Sequence, residues 1–311
     1  MLNTVGISGG PLYNRVGDLQ ASSNIDGVGV DTFSVIEAWY EHSFQEGRYS
    51  ILGGLHDYNS EFYALDYAGA LLNSSFGVGP DVSQRGISIY PVTALGLRFR
   101  FQPCDNSYVL LGMYDGIPGS ESNLQGTHVK LNKDDGLFYA AEVGITSTEE
   151  ESETAYYKVA IGGWYHTTDF SDYAERDRSS ASGGYIVGER KIFSESDLTQ
   201  GLGIFGQVGL AQGDRNEIAQ YLGAGLHYTG LFGGRDEDIT TFGVAHARHG
   251  SQYLDMATGS DRAETAIELS YRAKIGYGFT IQPDVQYIVN PGTDSSIDNA
   301  VVVGSRVEVV F

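Results

Sequence analysis

Apolar and polar residues alternate along most of this chain. From the thirties to the end the period is two, and convincing helical periodicity is nearly absent. The clearest run is ETAIELSYRAKIGYGFTIQPDVQYIVNP, which starts at Glu264. Thr265, Ile267, Leu269, Tyr271, Ala273 and Ile275 share one face, while Glu264, Glu268, Ser270, Arg272 and Lys274 share the other. The chain then turns at Gly276, Tyr277 and Gly278, and Phe279, Ile281, Val285, Tyr287 and Val289 alternate with Thr280, Gln282, Asp284 and Gln286. This is a β-hairpin with one apolar and one charged face.

The same pattern predicts strands at 33–43, 47–57, 92–102, 106–115, 135–146, 154–166, 182–192, 199–211, 217–229, 238–248, 262–275, 277–289 and 299–311. A strand in a soluble sandwich typically has about five or six residues, whereas a tilted strand crossing a bilayer needs about ten. The lengths favour the bilayer. The connections alternate as well. Short turns fall near 44–46, 103–105, 147–153, 193–198, 230–237 and 276, and longer polar segments at 58–91, 116–134, 167–181, 249–261 and 290–298, with 212–216 a short member of the second set. Short turns on the periplasmic side and long loops outside are the mark of outer-membrane barrels.

A soluble sandwich would also alternate, but its apolar face would meet a second sheet. Here the apolar face is rich in Tyr, Phe, Val and Leu, and the other carries unlike charges such as Arg98 and Arg100, or Glu264, Glu268, Arg272 and Lys274. The expected fold is all-β: one antiparallel transmembrane β-barrel domain over 1–311, uninterrupted by any linker. The terminal stretch GSRVEVVF puts Val303, Ser305, Val307, Val309 and Phe311 on one face and Arg306 and Glu308 on the other. Because a barrel has no free edges, this last strand is expected to pair with the first.

Composition removes several alternatives. No apolar run of about 18 residues is present to form a membrane helix. A net charge of -21, from Asp+Glu 40 against Lys+Arg 19, makes nucleic acid and anionic lipid surfaces poor partners, because their phosphates are repelled. The single cysteine, Cys104 in the turn QPCDN, excludes an internal disulfide or a cysteine-based zinc cluster. No secretory signal is visible in MLNTVGISGGPLYNRVGDLQ, so the chain is either cytoplasmic or lacks its true start.

Local motifs carry little chemistry. GLGIFG, Gly201 to Gly206, matches a dinucleotide fingerprint, but QVGLAQG continues the alternation instead of opening a helix, so these read as small lumen-facing residues. GISGG at 6–10 has the look of a nucleophile elbow without the strand–turn–helix unit around it. His246 and His249, three apart on a strand, point to opposite faces and do not suit one metal ion. The acidic runs TEEESE (148–153) and RDED (235–238) read as solvated turns. No catalytic residue, metal ligand or cofactor is expected.

The segment 58–91 is different. It is too long for an ordinary connection, alternates least, and carries Phe62, Tyr63, Leu71, Leu72, Phe76 and Ile89, which a freely solvated loop does not need. In a wide barrel the place to pack it is the pore, where it would narrow the channel. An external loop packed on itself or on a neighbouring subunit is the alternative.

Several stretches together resemble the carbohydrate-selective porin (OprB-like) family: RVGDLQASSNID at 15–26, EAWYEHSF at 37–44, NSEFYALDYAGALLNSSFGVGPDVSQ at 59–84, YPVTALGLRFRF at 90–101, and YIVNPGTDSSIDNAVVVGSRVEVVF at 287–311. The third and fifth are specific to that family, and a final Phe is shared by many outer-membrane barrels. The resemblance implies a bacterial outer-membrane barrel of sixteen strands passing sugars, glucose-like monosaccharides especially, by facilitated diffusion. It implies as partners sugars in transit, surrounding outer-membrane lipid and lipopolysaccharide, and the barrel-assembly machinery through the strand ending at Phe311, with the barrel a monomer or homotrimer. Counting back from a periplasmic Phe311 leaves thirteen full strands, puts 10–32 outside the cell and makes 1–9 the end of a partial strand. The family's signal peptide and its first strand or so are therefore expected to be missing, and an even strand number is needed for closure.

From the alternation, the lumen-facing candidates for sugar contact are Glu37, Trp39, Glu41, Arg48, Arg98, Arg100, Glu142, Lys158, Trp164, Gln207, Glu264, Glu268, Arg272, Lys274, Gln286, Arg306 and Glu308, with Glu61, Asp66 and Arg85 added by the inserted loop. Sugars need groups that hydrogen-bond to hydroxyls and aromatics that stack on ring faces, in a lumen wet enough for release. For each residue the alternative is a wall charge that balances its neighbour. A porin for other solutes is the rival function. A barrel enzyme needs a nucleophile with a positioned His, and none is visible.

Overall fold

Period-two alternation becomes one long meander. The structure, a computed structural model, describes residues 1–10, 12–26, 29, 31–120, 123–148, 155–173, 177–178, 180–257 and 259–311. Its strands are β1 (Leu2–Ile7), β2 (Thr32–Phe44), β3 (Tyr49–His56), β4 (Ala94–Cys104), β5 (Ser107–Asp115), β6 (Leu137–Thr146), β7 (Tyr157–His166), β8 (Phe170–Ser171), β9 (Asp177–Arg178), β10 (Ala181–Ser194), β11 (Gly201–Ala211), β12 (Ile218–Thr229), β13 (Ile239–His249), β14 (Ala263–Gly276), β15 (Phe279–Val289) and β16 (Ala300–Val309). β8 and β9 pair with each other inside one loop, and the other strands form a 14-stranded sheet in chain order. That number equals the fourteen strands, complete or partial, expected from the alternation, and β1 is a short one of six residues.

The sheet does not close on itself. β1 pairs with β2 and β16 with β15, and neither has a second neighbour among the described residues, so the expected pairing of the last strand with the first is not formed. β1 has only six residues to offer, and its outer edge, like that of β16, faces no other strand. The run TEEESE lies outside the described residues from position 149 onward, as does residue 154 of the strand expected at 154–166.

Register explains the two faces. Glu268 is fully buried while its neighbour Leu269 is 53% exposed, as alternation on a two-sided sheet requires. Leu226 lies opposite Phe242, Phe242 opposite Leu269, Leu269 opposite Val285, and Val285 opposite Val303, and all five are exposed. A contiguous apolar row of this kind is stable against lipid and not against water. One bulge shifts the phase. Asn3 faces Glu37 and Thr4 faces Val35, leaving Ile36 unmatched, so Ser34 and Glu37 can both point inward.

The core sits on the concave side. Between β3 and β4 the chain makes three short 3-10 turns (Tyr58–Ser60, Ala68–Ala70, Ser74–Phe76) and one helical turn (Pro80–Ser83). Asp57 and Asn73 start two of them by accepting the N–H groups of Asn59 and Ser75. Tyr58 stacks on Phe62 at 5.0 Å and meets Phe138 of β6 edge-on at 5.4 Å. Inward glycines make room for this segment: a Cβ on Gly203 would lie 2.2 Å from the Tyr67 ring, and one on Gly243 2.5 Å from Leu71. Gly203 belongs to the GLGIFG stretch, which here forms strand wall with no helix after it.

Candidate functional site

A chain segment that crosses a sheet's inner face without joining a ladder leaves its N–H groups without partners. Wall carboxylates supply them here. Glu189 accepts the N–H of Asp66 at 2.9 Å and of Tyr67 at 2.8 Å, one on each oxygen. Glu268 does the same for Leu72 at 2.6 Å and Asn73 at 2.9 Å. Glu142 accepts the N–H of Tyr63 at 2.9 Å and the hydroxyls of Tyr108 at 2.7 Å and Tyr185 at 2.6 Å. Donors from the wall meet the segment's carbonyls: Lys158 on Ala64 at 2.7 Å, Gln282 on Ala70 at 2.8 Å, Tyr221 on Ser75 at 2.7 Å and Gln207 on Phe76 at 3.0 Å. Contacts that reach from β6 to β15 along residues 63–76 require the sheet to curl around them.

A second segment is held in the same way. Glu264 accepts the N–H groups of Leu19 at 2.7 Å, Gln20 at 2.8 Å and Gly292 at 2.6 Å. Gln286 donates to the Ser22 carbonyl at 2.7 Å, and Arg306 donates to Asn24 Oδ1. Asn73 joins the two segments by donating to the Gln20 carbonyl at 2.8 Å and to Gln286 Oε1 at 3.2 Å. Residues 19–24, part of the loop expected at 10–32, lie against inward wall residues. No local pattern marks Gln20, Ser22 and Asn24 as contact residues, because their partners are far away in the chain.

These bonds sort the expected lumen residues. Glu142, Lys158, Gln207, Glu264, Glu268 and Gln286 have their polar atoms engaged with the two segments or with neighbouring wall residues. Arg98 is 2% exposed, its Nε donating to Glu61 at 2.5 Å, its Nη1 to Ser50 at 2.6 Å and its Nη2 to Glu41 at 2.8 Å. Trp164 is buried beside Phe138, ring centres 6.3 Å apart, so its face is covered. Arg85 donates to the Arg215 carbonyl at 3.1 Å. Arg48 was expected on the strand wall but is exposed in the turn, because Gln45, Glu46 and Gly47 take positive φ and delay β3 to Tyr49. Lys274 is exposed and pairs with Glu237 of the RDED turn. His246 and His249 do face opposite ways, His246 outward to Thr265 at 2.8 Å and His249 inward to Thr293 at 2.7 Å.

Two partly open groups remain. In the first, Trp39 Nε1 donates to Glu37 at 3.2 Å, with Glu41 and Glu61 beyond, and the Arg100 guanidinium lies 5.8 Å from the centre of the Tyr108 ring. The second is a cleft of about 490 Å³ lined by Asp66, Tyr67, Gly69, Ala70, His227, Ile239, Arg272, Gln282, Arg306 and Glu308. There the Tyr67 ring stacks on His227 at 4.5 Å, and Arg272 pairs with Glu308 at 2.8 Å, both side chains nearly half exposed. Aromatic faces beside paired ions offer a hydroxylated ring stacking, donors and acceptors while keeping local charge balanced. In the inserted segment, burial pushes the carboxyl of Asp81 up to about 7 and that of Asp57 up to about 6.

Sequence reasoning missed Glu189, Tyr67 and Gln282. Glu189 shares inward parity with Tyr185 and Val187 in a strand already recognised, which was signal enough to find it. Tyr67 sits in a loop, where no periodicity assigns a face.

Comparison with known proteins places this geometry. The family described as "Carbohydrate-selective porin, OprB family" matches residues 2–311. Porin B of Pseudomonas aeruginosa is 22% identical across 96% of this chain and 72% of its own length. A putative porin, QuiX, of Acinetobacter baylyi is 23% identical across 88% of this chain and 68% of its own. The high-pH structure of Pseudomonas putida OprB superposes with a TM-score of 0.85 at 22% identity, covering 99% of this chain and 81% of that one.

Proposed function

The chain belongs to the carbohydrate-selective porin, OprB family, and from that premise we propose that it is a passive outer-membrane channel that favours glucose-like monosaccharides. The observation that carries this reading is the division of the inward polar groups. One set, Glu142, Glu189, Glu264 and Glu268, is buried and fastens the inserted segments. The other, Glu37, Trp39, Glu41, Glu61, Arg100, Asp66, Tyr67, Arg272, Arg306 and Glu308, keeps exposed surface. In this proposal the first set fixes the width of the channel and the second touches the solute.

The segment 58–91 then narrows the pore and leaves open the parts lined by Trp39 of β2 and Arg100 of β4 and by Arg272, Arg306 and Glu308 of β14 and β16. A sugar moving there meets Trp39 and Tyr67 as stacking faces, with guanidinium and carboxylate groups for its hydroxyls. Each contact is single and wet, so binding stays weak enough for release. Charge pairing such as Arg272 with Glu308 keeps the passage from trapping ions, which suits a neutral solute.

Proteoliposome swelling tests it. Replacing Trp39 and Arg100 together by Ala lowers the ratio of glucose to glycerol permeability several-fold without changing glycerol permeability. An unchanged ratio overturns the assignment of these residues to sugar contact.

A further inference from the structure

The outward face changes character at its last rung before the long loops. Leu210, Gln220, Arg248 and Ala263 lie directly opposite one another across β11, β12, β13 and β14. The next outward row toward the middle is Val208, Leu222, His246 and Thr265. Arg248 thus stands at the edge of the apolar belt, at an outward position of β13 that Phe242 and Val244 occupy further down. Beside it is a cleft of about 790 Å³ whose lining includes Leu210, Gln220, Arg248, Leu254, Asp255 and Arg262.

Arg248 and Arg262 are exposed, and neither guanidinium has a hydrogen-bond or ion-pair partner among the described residues. Among the described residues of the lining Asp255 is the one carboxylate against Arg248 and Arg262, which leaves an excess of positive charge there on a chain whose net charge is -21. Two free guanidinium forks above exposed Leu210, Val208 and Leu222 combine an anion site with an apolar slope beneath it. A free phosphate uses only the first part. A phosphorylated lipid uses both.

We propose that this cleft binds the phosphorylated headgroup of lipopolysaccharide in the outer leaflet, with Arg248 and Arg262 on a phosphate and an acyl chain along Leu210 and Leu222. The inference rests on the membrane-barrel reading and is independent of which solute the channel passes. It adds a local exception to the general repulsion of phosphates by so acidic a chain.

The test is lipid binding to the purified full chain in detergent, followed by native mass spectrometry, with bisphosphorylated lipid A, dephosphorylated lipid A and inorganic phosphate as probes. Bisphosphorylated lipid A is expected to bind about tenfold more tightly than the dephosphorylated form, and inorganic phosphate is expected not to displace it. Arg248→Ala with Arg262→Ala should remove that preference while glucose swelling and heat-modifiable gel mobility stay as in the parent. Equal binding of the two lipids, which needs no variant to measure, overturns the proposal. So does an unaltered preference in the double variant, or displacement of the lipid by phosphate alone.

Discussion

The carboxylate of Glu189 accepts the backbone N–H of Tyr67 at 2.8 Å, joining positions 122 residues apart in sequence. The bond holds the aromatic ring over His227 at the edge of the open cleft. A side chain on the wall therefore sets the position of a ring that lines the cleft.

Glu189→Gln leaves one acceptor where two N–H groups, those of Asp66 and Tyr67, now bond. The loss should cost about 1–3 kcal/mol of local stability. Hydrogen exchange at Asp66 and Tyr67 is expected to accelerate while exchange in β11–β14 does not, and single-channel conductance is expected to rise.

Arg98 and Arg100 should separate in their effects. Arg98 neutralises Glu41 and Glu61 from a buried position, and its partners are 31% and 21% exposed. Arg98→Ala is expected to cost about 2 kcal/mol, less than for a fully buried pair because water reaches both carboxylates. Arg100→Ala is expected to leave stability unchanged and to lower glucose selectivity. Heat-modifiability of the two variants, measured beside their swelling rates, checks the split.

Burial of Asp81 is expected to make the stability depend on pH. It is fully buried, Tyr63 donates to its Oδ1 at 3.2 Å, and burial raises its carboxyl to about 7. Below the usual carboxylate range the folded and unfolded states are both protonated and nothing is lost. As pH rises toward 7 the unfolded chain releases the proton while the folded one keeps it, so stability falls by about 1.4 kcal/mol per unit. Asp81→Asn should remove that slope. It is expected to stabilise at pH 8, on the order of a few kcal/mol, and to change little at pH 4, as read from urea unfolding at both values.

Much of the fold was legible because alternation assigns a face without knowing the partner. Glu268 and Leu269 differ by one position, and the structure buries the first on the inner face and exposes the second on the outer face. The bulge at Ile36 did no harm, since Glu37, Trp39 and Glu41 share a parity beyond it. What a face does not reveal is occupancy. Glu142 reads as a lumen carboxylate, but its bond to Tyr63 spans 79 residues, and no local pattern shows that. Trp164 reads as a stacking platform until Phe138, from another strand, covers it. The inward course of 19–24 depends on Glu264, 245 residues away from Leu19, which lies beyond any window of periodicity.

In the proposed function a neutral sugar is recognised, not merely admitted by size. Titrating glucose while recording single-channel ion current through the full chain in a planar bilayer distinguishes the two. Recognition gives a saturable, reversible block, expected in roughly the millimolar range, that weakens when Tyr67 is replaced by Ala. A decline in current that stays linear in glucose and matches that produced by glycerol at equal viscosity contradicts it.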